Sequence, residues 1–412
     1  MHKELQLFRA SILHFPIVTE APEHDYVFYS DGLLVTRNDK IIALGPYSTT
    51  IEGFSNEQVV DYTGKLIVPG FIDSHLHFPQ TEMIASFGEQ LLQWLENYTF
   101  PTEKKFSAPQ YASEMADVFI EQLYANGTTT AAVFSSVHQQ ATDALFEAAY
   151  KQKMCLIAGK VCMDRHCPED LQDTAEIAYQ ETKGLIEKWH SNDRLLYAIT
   201  PRFAPTSSEQ QLVKMGKLVE RYPSVYIQTH LSENHQEINW VNELFPDCSD
   251  YLSVYEKFGL VNERSIFGHC LHLNDREWQR LSDLNATIAF CPSSNLFLGS
   301  GLFDLDKAKK YGVGVALASD VGAGTSFNML RTMGDAYKSC QLKGIALSPL
   351  EGLYMMSQGS AHQLKLTDTI GNLNIGTHGD FVVLDPAFNK LSQLRTASAY
   401  NREVIELPQD II

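Results

Sequence analysis

The first 66 residues read as short alternating strands broken by turns. In LLVTRNDKIIALGP two apolar runs flank Asn38-Asp39, a hairpin signal. From about residue 67 the pattern changes. Short, nearly continuous apolar runs alternate with amphipathic stretches such as ATDALFEAAYKQ, AEIAYQETKGLIEKWH and SSEQQLVKMGKLVERY. Eight runs read as strands: LIVPGFIDSHLHF, TTTAAVFSS, MCLIAGKVCMD, LLYAITPRFAP, VYIQTHLSE, SIFGHCL, TIAFCPSSN and GVALASDVG. Strands apolar on both faces and separated by helices predict a parallel sheet covered by helices. Eight βα units in roughly 260 residues fit a (β/α)8 barrel. The competing arrangement, a doubly wound open sheet, would favour a GxGxxG after its first strand, and the chain has none there. Near the C-terminus IGTHGDFVVLDP reads as a turn and a strand too short to stand alone.

The expected architecture is therefore α/β: a TIM-like barrel over residues 67–372, with a small β-sandwich domain built from both termini, residues 1–66 and 373–412.

Composition narrows the function. A net charge of -18 argues against nucleic acid and anionic membranes as partners, because phosphate recognition needs clustered Lys and Arg. No run of eighteen apolar residues predicts a spanning helix, and MHKELQLFRASILHF has mixed charge where a signal peptide has an apolar core. The seven cysteines are odd in number and form no CxxC, which suits reduced thiols. The expected compartment is the cytoplasm.

Candidate chemistry sits at the strand ends. His75 and His77 are two apart on the first barrel strand, so both point to one face at the end where barrels keep their active sites. An HxH pair is common and could be structural. His230 closes YIQTH, His269 closes SIFGH and Asp320 closes VALASD. Taken singly, Asp320 could cap a turn and His269 could sit satisfied in the core. Four strand ends carrying ligand types are hard to produce by chance. Histidine with carboxylate suits zinc or iron(II), which lowers the pKa of bound water toward ~7. Glu233, three residues after His230, could move protons beside a metal or be a loop carboxylate near a helix start. Gln80 and Arg202-Phe203 offer hydrogen bonds and a stacking ring, or else a turn, a surface ion pair and core.

Together PGFIDSHLHFPQ, TPRF, THLSE, FGHC and SD resemble the metal-ligand motifs of the amidohydrolase superfamily, and the combination is similar to its guanine deaminases. Runs such as PQTEMIASFGEQLLQWLENYTFP, FCPSSNLFLGSGLF and DVGAGTSFNMLRTM support this along most of the barrel. The resemblance implies one zinc per chain, with iron(II) as the alternative, on His75, His77, His230 and Asp320. It makes Glu233 the proton shuttle, with Asp320 and His269 acting beside the metal. Gln80, Arg202 and Phe203 would hold guanine, with His77, His230, Glu233, His269 and Asp320 around the reacting carbon. Arg202 would favour the 6-oxo group, leaving a donor unpaired against adenine. A homodimer and a place in purine catabolism are implied too. Binuclear members carry a lysine at the end of strand 4, where this chain has TPRF; Lys160 lies on strand 3 and is expected to be structural. The H-x-E and P-C-x-x-C elements of the other deaminase chemistry are missing. Another mononuclear amidohydrolase, a nucleobase deaminase or chlorotriazine hydrolase, and a non-catalytic scaffold remain as alternatives. One departure is that FVVLDP is followed by NREVIELPQDII, without the Val- and Gly-rich strand that closes the β domain in most members.

Overall fold

A computed structural model describes residues 5–86 and 90–400. The chain divides into two compact units, one of Met1–Ile72 with Leu347–Ile412 and one of Asp73–Ala346.

In the first unit, β1 (Leu5–His14), β2 (Val27–Arg37), β3 (Lys40–Pro46) and β4 (Val59–Pro69) form a sheet. The hairpin lies where the pattern predicts it. β2 and β3 pair antiparallel through Arg37 and Lys40, leaving Asn38-Asp39 as the loop, with Asn38 at φ 59. Asn tolerates that left-handed conformation because its short side chain bonds locally. Alternation gives the sheet two apolar faces. Leu33, Val35 and Leu7 pack on one face, and Leu34, Ala10 and Ile12 on the other. Ala10 and Ile12, two apart on β1, share a face as alternation requires, while the extra residue at the register shift between them lies on β2.

The C-terminal strand (Phe381–Leu384, numbered β14 below) returns to this sheet, antiparallel to β4. The sheet order is β14, β4, β1, β2, β3. Among the described residues this is one five-stranded sheet where a sandwich is expected, with an apolar cluster on each face. The return begins at Leu347, earlier than the expected residue 373. Hydrogen bonds explain this. Ser348 Oγ donates to Glu23, the Thr19 N–H donates to the Tyr354 hydroxyl, and the Ile72 N–H reaches the Met356 carbonyl. The helices Pro349–Met355 and Gln358–Gln363 thus belong with the sheet. The C-terminal NREVIELPQDII lies outside the described residues from 401 onward, and so does any closing strand there.

The second unit is a nearly closed barrel. Its strands are β5 (Phe71–His77), β6 (Thr128–Phe134), β7 (Cys155–Gly159), β9 (Leu195–Pro201), β10 (Tyr226–Leu231), β11 (Ser265–His269), β12 (Thr287–Phe290) and β13 (Gly314–Leu317). A two-residue strand, β8 (Val161–Cys162), pairs with β9 beside them. The pairs given by register are parallel, as in β6 with β7 and β10 with β11. The ends of the series approach where the Asp320 N–H donates to the His75 carbonyl (2.9 Å) and the His77 N–H to that of Val321 (2.6 Å). Every residue of β5, β7, β11 and β12 is buried, the mark of strands covered on both faces. Capped amphipathic helices separate the strands. Ser208 accepts from the Gln211 N–H ahead of Glu209–Arg221, and Asn274 and Glu277 form a capping box. Parallel strands deliver their C-terminal ends to one rim.

Lys160 is buried and paired with Asp173 and Glu181. All seven cysteines are free. Among the described residues no helix is long and apolar enough to cross a membrane.

His14, at the end of β1, is 3 % exposed, and its Nδ1 accepts the Leu373 N–H (3.3 Å). Burial pushes its pKa down to about 4. As pH falls, the unfolded chain takes up this proton first, near its ordinary value of ~6.5. The contribution is therefore fully present above about pH 6.5 and lost progressively down to about pH 4. It is on the order of 3 kcal/mol at most. Urea unfolding of wild type and His14→Gln across this window should give a shallower pH dependence for the variant. Superimposable slopes would refute the assignment.

Candidate active site

The rim brings together the four strand ends singled out by sequence. His75 and His77 end β5, His230 lies near the end of β10, His269 ends β11, and Asp320 follows β13. His75 Nε2 and His77 Nε2 lie 3.4 and 3.3 Å from Asp320 Oδ1, and His77 Nε2 lies 3.3 Å from His230 Nε2. The Arg202 carbonyl accepts from His230 Nδ1 at 2.7 Å, which turns Nε2 toward the cluster. Both nitrogens of His75 are buried without a hydrogen-bond partner; the 3.4 Å approach to Asp320 is not aligned for one. Phe134, ending β6, packs its ring 4.8 Å from those of His75, His77 and His230 and walls the cluster off with carbon.

Burial lowers the His77 pKa to about 4 and that of His230 well below its ordinary value, where charge on neighbouring imidazoles would add to the effect. Both rings are thus neutral, with lone pairs available. Burial pushes Asp320 upward, but the His75 and His77 imidazoles outweigh it and hold the carboxyl well below the usual range. Three imidazoles and a carboxylate form a donor set that fits a divalent transition metal. The ligand atoms of His75, His77 and His230 lie within 4.8 Å of one another, and so do those of His75, His269, Asp320 and Cys291. Cys291 is a member that sequence reading treated only as one of seven reduced thiols. Burial raises its thiol well above the ordinary value, so it stands as a neutral neighbour.

Glu233 follows β10 and is 2 % exposed, with its Oε2 3.4 Å from His269 Nε2. Burial, then the charge of Asp320, pushes its carboxyl up to about 8, against a hydrogen bond from Ser300 Oγ (3.0 Å). Asn295 Oδ1 accepts from His269 Nδ1 (2.8 Å) and aims the other nitrogen at Glu233 and Asp320. Glu237 braces the turn. Its Oε2 accepts the N–H groups of Glu233 and Asn234, and Tyr251 donates to its Oε1. His269 and Asp320 have φ of 72 and 53, left-handed values rarely seen outside glycine. Such strain gathers where geometry serves chemistry.

Above the cluster lies a pocket lined by Gln80, Trp94, Arg202, Phe203, Leu298 and Ala323, among others. Aromatic and aliphatic walls with a few polar groups are the lining of a small-molecule site. Gln80 Oε1 accepts the Gly322 N–H (3.2 Å), and its amide nitrogen donates to Glu103 Oε1 (3.2 Å). Gln80 therefore faces the cavity as a donor, where sequence offered both a donor and an acceptor. Arg202 Nη1 donates to both oxygens of Glu103, at 3.0 and 2.8 Å. Sequence reading missed Glu103. It also assigned no role to Trp94, Asn295, Ser300 or Glu237, although Asn234 and Glu237 carry a readable capping-box spacing.

Residues 66–405 match the model of the amidohydrolase family. The chain belongs to the amidohydrolase family. The guanine deaminase of Escherichia coli K12 is 52% identical over 369 residues, 89% of this chain and 84% of that protein. A probable guanine deaminase of Deinococcus radiodurans is 39% identical over 390 residues, 93% and 89% of the two chains. The structure of E. coli guanine deaminase superposes with a TM-score of 0.95 at 47% identity, covering 99% of this chain and 94% of that one. Amidohydrolases depend on a metal, and the unpaired nitrogens of His75 beside a carboxylate and two more imidazoles give this member a place for one.

Gly268, in β11, makes that place possible. A Cβ there would lie 2.8 Å from His75 Cε1 and 3.2 Å from both ring nitrogens. Gly268→Ala should displace the imidazole and lower metal affinity by ~10–100-fold, as disturbed ligand orientation does in other sites. Metal analysis after titration with a competing chelator tests this, with circular dichroism as the check on folding. Wild-type affinity in a folded variant would refute it.

Proposed function

We propose that this chain hydrolyses guanine to xanthine and ammonia. The carrying observation is the pairing of two oriented donors, Gln80 and Arg202, with a metal-type cluster on the rim of the same cavity. Donors facing the purine suit the 6-oxo group and leave adenine, which has an amino group there, with an unpaired partner. The similarity to guanine deaminases supports the same substrate.

The metal we assign is zinc, one per chain, which His75, His77, His230 and Asp320 would hold. When bound it supplies Lewis-acid activation of water, lowering a pKa of about 15.7 toward ~7. The protein's own groups do the rest. Arg202 and Gln80 hold the polar edge of the purine, and Phe203 borders the ring. Asp320, kept ionised, accepts a proton from the attacking water. Glu233, protonated near neutrality, gives its proton to N3 and later carries one to the departing amine. His269, fixed by Asn295, polarises the reacting carbon's surroundings. Water adds at C2, the bond to the exocyclic nitrogen breaks, and ammonia leaves. The working form is a homodimer in the cytoplasm, where free thiols persist.

Ammonia release from guanine, adenine, cytosine and 8-oxoguanine, measured against metal content, tests the assignment. Guanine should be turned over far faster than the others, and a different preferred ring would overturn it. Glu233→Gln should retain the metal while kcat falls by roughly 10²–10⁴-fold, the usual weight of a general acid–base group. A variant that keeps most of its kcat would remove Glu233 from the proton path.

A further inference from the structure

We infer that Glu103 is a positioning residue that makes the purine-reading donors selective for a neutral ring over an anionic one; this rests on the guanine reading above. Glu103 ends the short helix Phe100–Glu103, far in sequence from both partners, and is 1 % exposed. Its two oxygens take three hydrogen bonds, two from Arg202 and one from Gln80. Both partners line the cavity, and Glu103 itself does not. Its reach to the ligand therefore runs through them.

Two consequences follow from the chemistry. The first is orientation. Arg202 Nη1 is committed to the carboxylate, and Gln80 is pinned at both ends of its amide, by Glu103 and by the Gly322 N–H. The remaining donors are held in place before the ligand arrives, which reduces the ordering that binding requires. The second is charge. An arginine alone in a buried cleft attracts anions, and carboxylates above all. Paired with Glu103 at 2.8 Å it becomes a neutral unit, still rich in N–H donors. Such a unit suits a lactam oxygen, while an added anionic group would meet the Glu103 charge in a dry environment. Phe100, whose ring lies 5.6 Å from the Arg202 guanidinium carbon, covers the pair with carbon.

Removing the charge should therefore move two ligands in opposite directions. In the metal-loaded Glu103→Gln protein, the KM for guanine should rise about tenfold with kcat within about threefold of wild type, since ground-state holding is lost and the reacting groups are untouched. Inhibition by purine-6-carboxylate, an anionic probe of the same outline, should tighten about tenfold as the opposing charge disappears. A merely structural role would weaken both ligands together. Like shifts for the two, no shift in either, or a loss confined to kcat overturns the inference.

Should Glu103→Gln not fold, Glu103→Asp keeps the charge and shortens the reach. There guanine KM should rise while purine-6-carboxylate stays a poor inhibitor. Tighter anion binding, or an unchanged KM, overturns the inference. A wild-type enzyme that does not deaminate guanine is a separate outcome, which would refute the proposed reaction first.

Discussion

No protein group satisfies the two buried ring nitrogens of His75, and leaving such polar atoms without a partner is costly, so they call for a cation. The site is built around this constraint. Gly268 leaves room for the ring, Phe134 dries its flank, and His77, His230 and Asp320 approach it so that a cation can satisfy what hydrogen bonds do not. The left-handed turns at His269 and Asp320 belong to the same demand. They bend the chain at the strand ends so that side chains from separated segments converge on one point. Stability given up locally at the rim is carried by the strands beneath it, which are buried along their length.

Much of this was legible in the sequence because a parallel barrel converts linear pattern into position. An apolar run buried on both faces marks a strand, and the residue at its C-terminal end lands on the rim. His75, His77, His230, His269 and Asp320 could be placed this way without knowing any distance. Glu103 could not. It comes from an irregular helical stretch with no period to anchor it, and its meaning lies entirely in contacts with Gln80 and Arg202. Gln80 shows a second kind of limit. An amide is symmetric in its options until a neighbour chooses for it, and the Gly322 N–H makes that choice.

The sheet unit shows the same boundary between pattern and contact. Its hairpin and its returning strand follow from turn residues and alternation, which are local signals. Whether alternating strands become one sheet or two depends on pairing partners. Where the C-terminal return begins depends on ties such as Ser348 to Glu23. Neither has a local signature. Lys160 illustrates the converse. Its place away from the end of strand 4 argued for a structural role, and its burial between Asp173 and Glu181 agrees with that.

The turn after β13 has a thermodynamic consequence. Within three residues it presents Asp320 to the imidazoles, the Val321 carbonyl to the His77 N–H, and the Gly322 N–H to Gln80. One short segment thus touches both the cation site and the ring-reading site. Any adjustment of the turn that favours one occupant is felt by the other. Coupling of this kind is reciprocal: if the ion tightens the grip on the purine by some factor, the purine tightens the grip on the ion by the same factor. An enzyme working in a cell where the metal is scarce would then hold its cofactor best while its substrate is abundant.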